Sequence, residues 1–129
     1  MDRANKKILL VEDEDNIALA LSFVIGRQGF QLTRVATGPD ALDVLKADRP
    51  DLVVLDLMLP GCSGYEILQT IRESERLRDV RVLMISASAG EVVRKKGLAL
   101  GADAFLTKPF STSHLAEEIC LLLDDPVHG

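Results

Sequence analysis

With 129 residues, 47% of them hydrophobic, the chain is long enough to bury one real core and too short for two domains. A formal net charge of −5 argues against a general nucleic-acid binder, which needs a basic face, and 27% charged residues without low-complexity bias exclude a disordered chain. Cys62 and Cys120 supply neither a disulfide framework nor a metal-ligand spacing, and the short apolar run after Met1-Asp2-Arg3-Ala4-Asn5 is neither a signal peptide nor a membrane span, so free thiols in the cytoplasm are expected.

Lys7 to Val11 reads as the first strand. Apolar residues at consecutive positions need cover on both faces, as in a parallel sheet between helices. The strand delivers Glu12 and Asp13 at its carboxyl end. After Glu12-Asp13-Glu14-Asp15, the apolar residues Ile17, Ala20, Leu21, Val24 and Ile25 recur at helical spacing. Acids in a first turn suit the positive end of the helix dipole, and Gly26 and Gly29 bracket the helix end. Phe30 to Val35 is a second strand, in which Phe30 and Leu32 alternate with Gln31 and Thr33. That alternation predicts an exposed strand at a sheet edge.

Thr37-Gly38-Pro39-Asp40 starts a second helix, with Ala41, Leu42 and Leu45 on its apolar side and Arg49-Pro50 as its stop. The stretch Asp51 to Gly61 organises the chain: Leu52-Val53-Val54-Leu55 is a fully covered strand that ends in Asp56, and Pro60-Gly61 turns away. Open α/β sheets place their ligands at such carboxyl ends. Ser63-Gly64-Tyr65-Glu66 has the form of a capping box for a third helix with Ile67, Leu68 and Ile71 inside.

Val82 to Ile85 is a fourth strand delivering Ser86, and Ser88-Ala89-Gly90-Glu91 repeats the capping form. Interior Gly97 costs the fourth helix roughly 1 kcal/mol relative to Ala, and Gly101 ends it. Ala104 to Thr107 is the fifth strand, delivering Lys108. Pro109 breaks the chain, Ser111 caps a last helix lined by Leu115, Ile119, Leu122 and Leu123, and Asp124-Asp125-Pro126 ends it. Strands alternating with helices on short connections define a doubly wound α/β domain with a five-stranded parallel sheet and five flanking helices, its core about residues 7–123 of a single domain over 1–129.

In such a sheet Glu12, Asp13, Asp56, Ser86 and Lys108 gather at one edge. Three carboxylates close together repel, and an oxygen-only set suits a hard divalent cation such as Mg²⁺. Beside the ion, Asp56 can act as a nucleophile toward a phosphoryl group. Mg²⁺, the Lys108 ammonium and the Ser86 hydroxyl are the donors that the charged phosphoryl oxygens require.

Glu12-Asp13, Asp56, Ser86-Ala87 and Lys108-Pro109-Phe110, each after its own strand, resemble the CheY-like receiver domain of two-component response regulators, with every element in family order from about Lys7 to Leu123. The resemblance implies the flavodoxin-like strand order 2-1-3-4-5 and a phosphorelay switch, not a turnover enzyme. Asp56 would be the phosphoacceptor, taking its phosphoryl group from a sensor histidine kinase or histidine phosphotransfer protein. Asp13, Asp56 and the Met58 backbone carbonyl would bind Mg²⁺, with Glu12 acting through water. Lys108 would pair with the phosphoryl group, and its bond to Pro109 would be cis. Ser86 and Phe105 would be the switch pair. The fourth helix, fifth strand and fifth helix would form the output surface, toward a downstream effector protein, an output domain or a second copy in a homodimer, with no direct contact to nucleic acid or membrane.

Ser86 stands where threonine is commoner, Phe105 where tyrosine often sits, and Cys62-Ser63 replaces an apolar-acidic pair; none of these removes a catalytic group. A metal-dependent phosphohydrolase of the haloacid dehalogenase type needs a second aspartate where this chain has Met58. A flavodoxin-like nucleotide binder needs a Gly/Ser/Thr-rich loop where this chain has four acids. A receiver signalling without phosphorylation is disfavoured because every required group is present. Taken singly, Ser86 reads as a cap or core hydroxyl, Lys108 as a surface lysine, and Arg94-Lys95-Lys96 as a solvated face. Tyr65, His114 and His128 read as structural or surface residues, and Cys62 as an incidental thiol in an exposed loop.

Overall fold

The computed structural model describes residues 5–87 and 90–128. Among these residues five strands, β1 (Lys7–Val11), β2 (Gln31–Val35), β3 (Leu52–Asp56), β4 (Arg81–Ser86) and β5 (Ala104–Thr107), alternate with five helices. The helices are α1 (Asp15–Arg27), α2 (Gly38–Ala47), α3 (Gly64–Glu73), α4 (Glu91–Ala99) and α5 (Thr112–His128). All strand pairs are parallel, in the order β2-β1-β3-β4-β5. The doubly wound, flavodoxin-like expectation is met, and the alternating strand is an edge.

The continuous apolar runs are explained by two cores, one on each face of the sheet. Leu9, Val11, Val53, Leu55, Val82 and Met84 face α2 and α3, where Ala41, Leu45, Ile67, Leu68 and Ile71 close the first core. Ile8, Leu10, Leu52, Val54, Leu83 and Ile85 face α1 and α5, where Leu21, Ile25, Leu115 and Ile119 close the second. Successive strand residues point to opposite faces, so a strand feeding two cores has no polar phase. β3 is buried along its whole length, Asp56 included.

The helix starts follow the sequence signals. Thr37 accepts from the Asp40 amide at 3.2 Å, Ser63 from Glu66 at 3.3 Å and Ser111 from His114 at 3.0 Å. Ser88 and Ala89 lie outside the described residues; α4 begins after Gly90 as its N-cap.

Several details differ from expectation. Only Asp15 of the four acids is in the first turn of α1, since Glu14 is the N-cap, and Ala18 takes the buried position while Ala20 is exposed. Gly26 lies within α1, and Gly29, at φ 91°, makes the turn after it. β2 begins at Gln31, just after buried Phe30. α4 runs unbroken through Gly97. α5 does not end at Asp124-Asp125-Pro126 but continues to His128. Cys62 is half-buried in its loop, not exposed, and Gly38 makes room for its sulfur: a Cβ on Gly38 would collide with it. Burial, and then the nearby Glu66 charge, push that thiol above its ordinary value, consistent with an unreactive cysteine. Both cysteines are free. Among the described residues no helix is long and apolar enough to cross a membrane.

Candidate functional site

Strand register assembles the site. Val11 pairs with Leu55, so the next residues, Glu12 and Asp56, sit side by side at the carboxyl edge. Asp56 pairs with Ile85 and Ser86 with Thr107, which puts Ser86 one step beyond Asp56 and directly before Lys108. The Lys108 amide donates to the Ser86 carbonyl at 2.7 Å, carrying the sheet one residue past β5. The Lys108–Pro109 peptide is cis, as the resemblance implies.

The side chains converge. The Lys108 ammonium donates to Asp56 Oδ2 at 2.8 Å and to Glu12 Oε1 at 3.0 Å. The Met58 amide donates to Asp56 Oδ1 at 3.1 Å, and the Glu14 amide to Glu12 Oε2 at 3.2 Å. Both carboxylates are therefore oriented at both oxygens. Glu12 is fully buried and Asp56 is 4% exposed, whereas Asp13 is open to solvent and the Met58 side chain points outward.

Burial raises the Glu12 carboxyl to about 7; the Lys108 and Glu14 hydrogen bonds pull it down, and Asp56 beside it pushes it up. Burial alone would lower the Lys108 ammonium, but its bonds to Asp56 and Glu12 outweigh that and hold it above the ordinary lysine value.

Glu12, Asp13 and Asp56 offer carboxylate oxygens that all lie within 4.8 Å of one another. Two of the three carboxylates are buried, the third is open to solvent, and the donor set is oxygen alone. These residues fit a hard divalent cation.

The structure brings together Glu12, Asp13, Asp56 and Lys108. Ser86 is fully buried at the adjoining strand end. Phe105 lies apart, half-buried on the α3–α4 side of the sheet, where its ring edge underlies Gly97. Arg34 was missed. Its guanidinium donates twice to the Glu12 carbonyl, at 3.0 and 2.7 Å, and pairs with Asp15 at 3.1 Å, tying edge strand β2 to the acidic segment. The signal was available: Phe30 and Leu32 set the inward phase of β2, and Arg34 is a charge in that phase.

Residues 8–120 match the response regulator receiver domain. The chain is 40% identical over 116 residues to the sensory transduction protein RegX3 of Mycolicibacterium smegmatis, covering 90% of this chain and 50% of that one. It is 36% identical over 119 residues to the alkaline phosphatase synthesis transcriptional regulatory protein PhoP of Bacillus subtilis, covering 92% and 49%. The chain thus spans about half the length of these curated relatives. The signal receiver domain of a signal transduction histidine kinase from Syntrophus aciditrophicus superposes with a TM-score of 0.86 at 30% identity, covering 93% of this chain and 91% of that one. With the sheet order, the strand-end carboxylates and the match over most of its length in agreement, the chain belongs to the family of response regulator receiver domains, the switch modules of two-component systems.

Proposed function

We propose that Asp56 accepts a phosphoryl group from a phosphohistidine on a sensor kinase or a phosphotransfer protein, and that the whole chain works as one receiver. The observation that carries this reading is the state of Asp56. It is a buried carboxylate at a sheet's carboxyl edge, with Oδ1 held by the Met58 amide and Oδ2 by Lys108. Attack by a carboxylate oxygen forms the O–P bond as the P–N bond to the imidazole breaks, and the leaving imidazole takes a proton. Holding the carboxylate in one orientation removes an entropic part of that barrier. Lys108, already poised at Oδ2, donates to a phosphoryl oxygen, and the neighbouring Ser86 hydroxyl serves a second one.

Asp13, Asp56 and the Met58 carbonyl, with Glu12 beside them, would hold Mg²⁺. The ion would supply the remaining neutralisation of phosphoryl charge. The charge gained at Asp56 then biases a two-state equilibrium of α4, β5 and α5 through Ser86 and Phe105, and this surface meets an effector, an output domain or a second copy. A groove of about 570 Å³ beside Lys108, with Ile17 and Ala20 of α1 on one side and Pro109 and Phe110 on the other, suits an apolar helix of the donor protein. Leu19 and Phe23 continue that apolar surface along α1. Donor and receiver would meet in the cytoplasm.

The test is intact mass after incubation with Mg²⁺ and acetyl phosphate, on the wild type and on Asp56→Asn. One phosphoryl group gained by the wild type alone, and lost with hydroxylamine, is the expected result. No gain by the wild type under conditions where Mg²⁺ binds would overturn the phosphoacceptor reading.

A further inference from the structure

Helix α4 buries only Gly97 among its residues, and Val92 on its outer side is 81% exposed. A nine-residue helix with so little burial is not stable by itself. Besides Val93 and Leu98, which are partly buried against the core, a small number of further contacts keeps it in place.

One of these lies under the helix. A Cβ on Gly97 would come within 3.2 Å of Met84 Sδ and 3.3 Å of a Phe105 ring carbon, so the α4 backbone rests directly on sheet side chains. The other comes from the side. The Tyr65 hydroxyl donates to the Val93 carbonyl at 3.1 Å, and Lys96 Nζ stands 4.5 Å from the centroid of the Tyr65 ring. Val93 and Lys96 are three apart and share one face of the helix. The Val93 carbonyl has a second lone pair, so it can accept the hydroxyl without giving up a helix bond. Tyr65 thus holds one turn of α4 at two points, by a hydrogen bond and by a cation over its ring face.

Tyr65 is itself firmly seated next to the candidate acceptor. Its neighbour Gly64 donates to the Leu57 carbonyl at 2.8 Å, and a Cβ on Gly64 would sit 2.6 Å from the Asp56 carbonyl oxygen. The first turn of α3 is therefore pressed against the segment that contains Asp56. A short covalent and hydrogen-bonded path runs from Asp56 through Leu57, Gly64 and Tyr65 to α4.

We propose that Tyr65 is a latch: a positioning residue that fixes α4 against α3 in the resting arrangement and sets how readily the output surface lets go. The link to Asp56 rests on the phosphoacceptor reading above. The latch itself does not.

Amide hydrogen exchange on the full chain, with no phosphoryl donor added, tests the latch separately from that reading. In Tyr65→Phe the α4 amides should exchange about 3- to 10-fold faster, the factor a net hydrogen-bond contribution implies, while β1 and β3 stay at wild-type rates. Unchanged α4 protection would overturn the latch. Lys96→Met keeps the stem and removes the cation, which gives a second arm. It should speed α4 exchange in the wild type and have no further effect in a Tyr65→Leu background. Equal effects in the two backgrounds would mean that Lys96 acts without the Tyr65 ring, which overturns the two-point hold. Whether Asp56 accepts a phosphoryl group is decided by the mass measurement, so failure of one reading is not mistaken for failure of the other.

Discussion

Lys108 stands between two buried carboxylates, and its removal can be followed at each of them. The lysine's hydrogen bond lowers the Glu12 carboxyl, so Lys108→Ala is expected to drive that group above its present value of about 7, read by carbon-detected NMR titration of Glu12 in EDTA. The same variant should still take up a phosphoryl group while its α4–β5–α5 surface responds less; normal switching toward a partner would remove Lys108 from the coupling. Gly64 is a second sensitive residue. Its missing Cβ leaves room for the Asp56 carbonyl and for Leu57 Cα, which would lie 2.6 and 2.9 Å away, and backbone does not yield cheaply. Gly64→Ala is expected to cost about 1–3 kcal/mol in urea denaturation and to slow phosphorylation by displacing Asp56. Glu12, Asp56 and Lys108 were legible in the sequence because each interrupts an apolar run at a strand's end. Arg34 was legible only as a charge in the inward phase of β2, and Tyr65 not at all, because each donates to a backbone carbonyl and carbonyls leave no mark in a sequence.

Elements were legible wherever periodicity and caps agreed. The unbroken apolar character of β1, β3 and β4 reported a sheet covered on both faces, and Thr37, Ser63 and Ser111 reported helix starts. Less legible was how α4 survives its glycine: the close approach of Gly97 to Met84 and Phe105 is a tertiary fact that overrides local propensity. The connections at the opposite edge of the sheet were also hidden. Arg72, near the end of α3, donates to the carbonyls of Gly101, Arg78 and Val80 and pairs with Asp103 at 2.9 Å; Asp103 in turn accepts from the Val82 amide at 2.8 Å. One guanidinium thereby joins the end of α3, the entry to β4 and the turn into β5, where Gly101 adopts φ 112°. Arg72→Met removes the donor to three carbonyls but leaves Asp103 with the Val82 amide and with Arg81 at 3.6 Å, and a loss of about 1–3 kcal/mol in denaturant unfolding is expected. Because this hub lies far from the acidic edge, phosphorylation of Asp56 should proceed at the wild-type rate in whatever fraction is folded. A parallel loss of the two would show that the hub also shapes the site.

At the scale of the whole molecule, the acidic edge sets a conflict between folding and function. An acid whose folded-state pKa lies above its unfolded value binds more protons folded than unfolded between the two. Its contribution to stability is therefore full below the unfolded value and is lost as pH rises through the folded one. Glu12 moves from 4.5 to about 7 on folding. In EDTA the protein should thus lose stability between pH 5 and pH 8, by about 2–3 kcal/mol from this group. Glu12→Gln, which cannot ionise, should flatten that slope, and urea midpoints at the two pH values measure both proteins. A cation that binds only the folded state offsets the same penalty, so Mg²⁺ at about ten times its dissociation constant should return roughly 1.4 kcal/mol at pH 8. It should return less at pH 5, where Glu12 is protonated. If the wild type and Glu12→Gln show parallel pH profiles, the buried carboxyl is not the source of the slope. If Mg²⁺ stabilises Asp56→Asn as strongly as the wild type, Asp56 is not among its ligands.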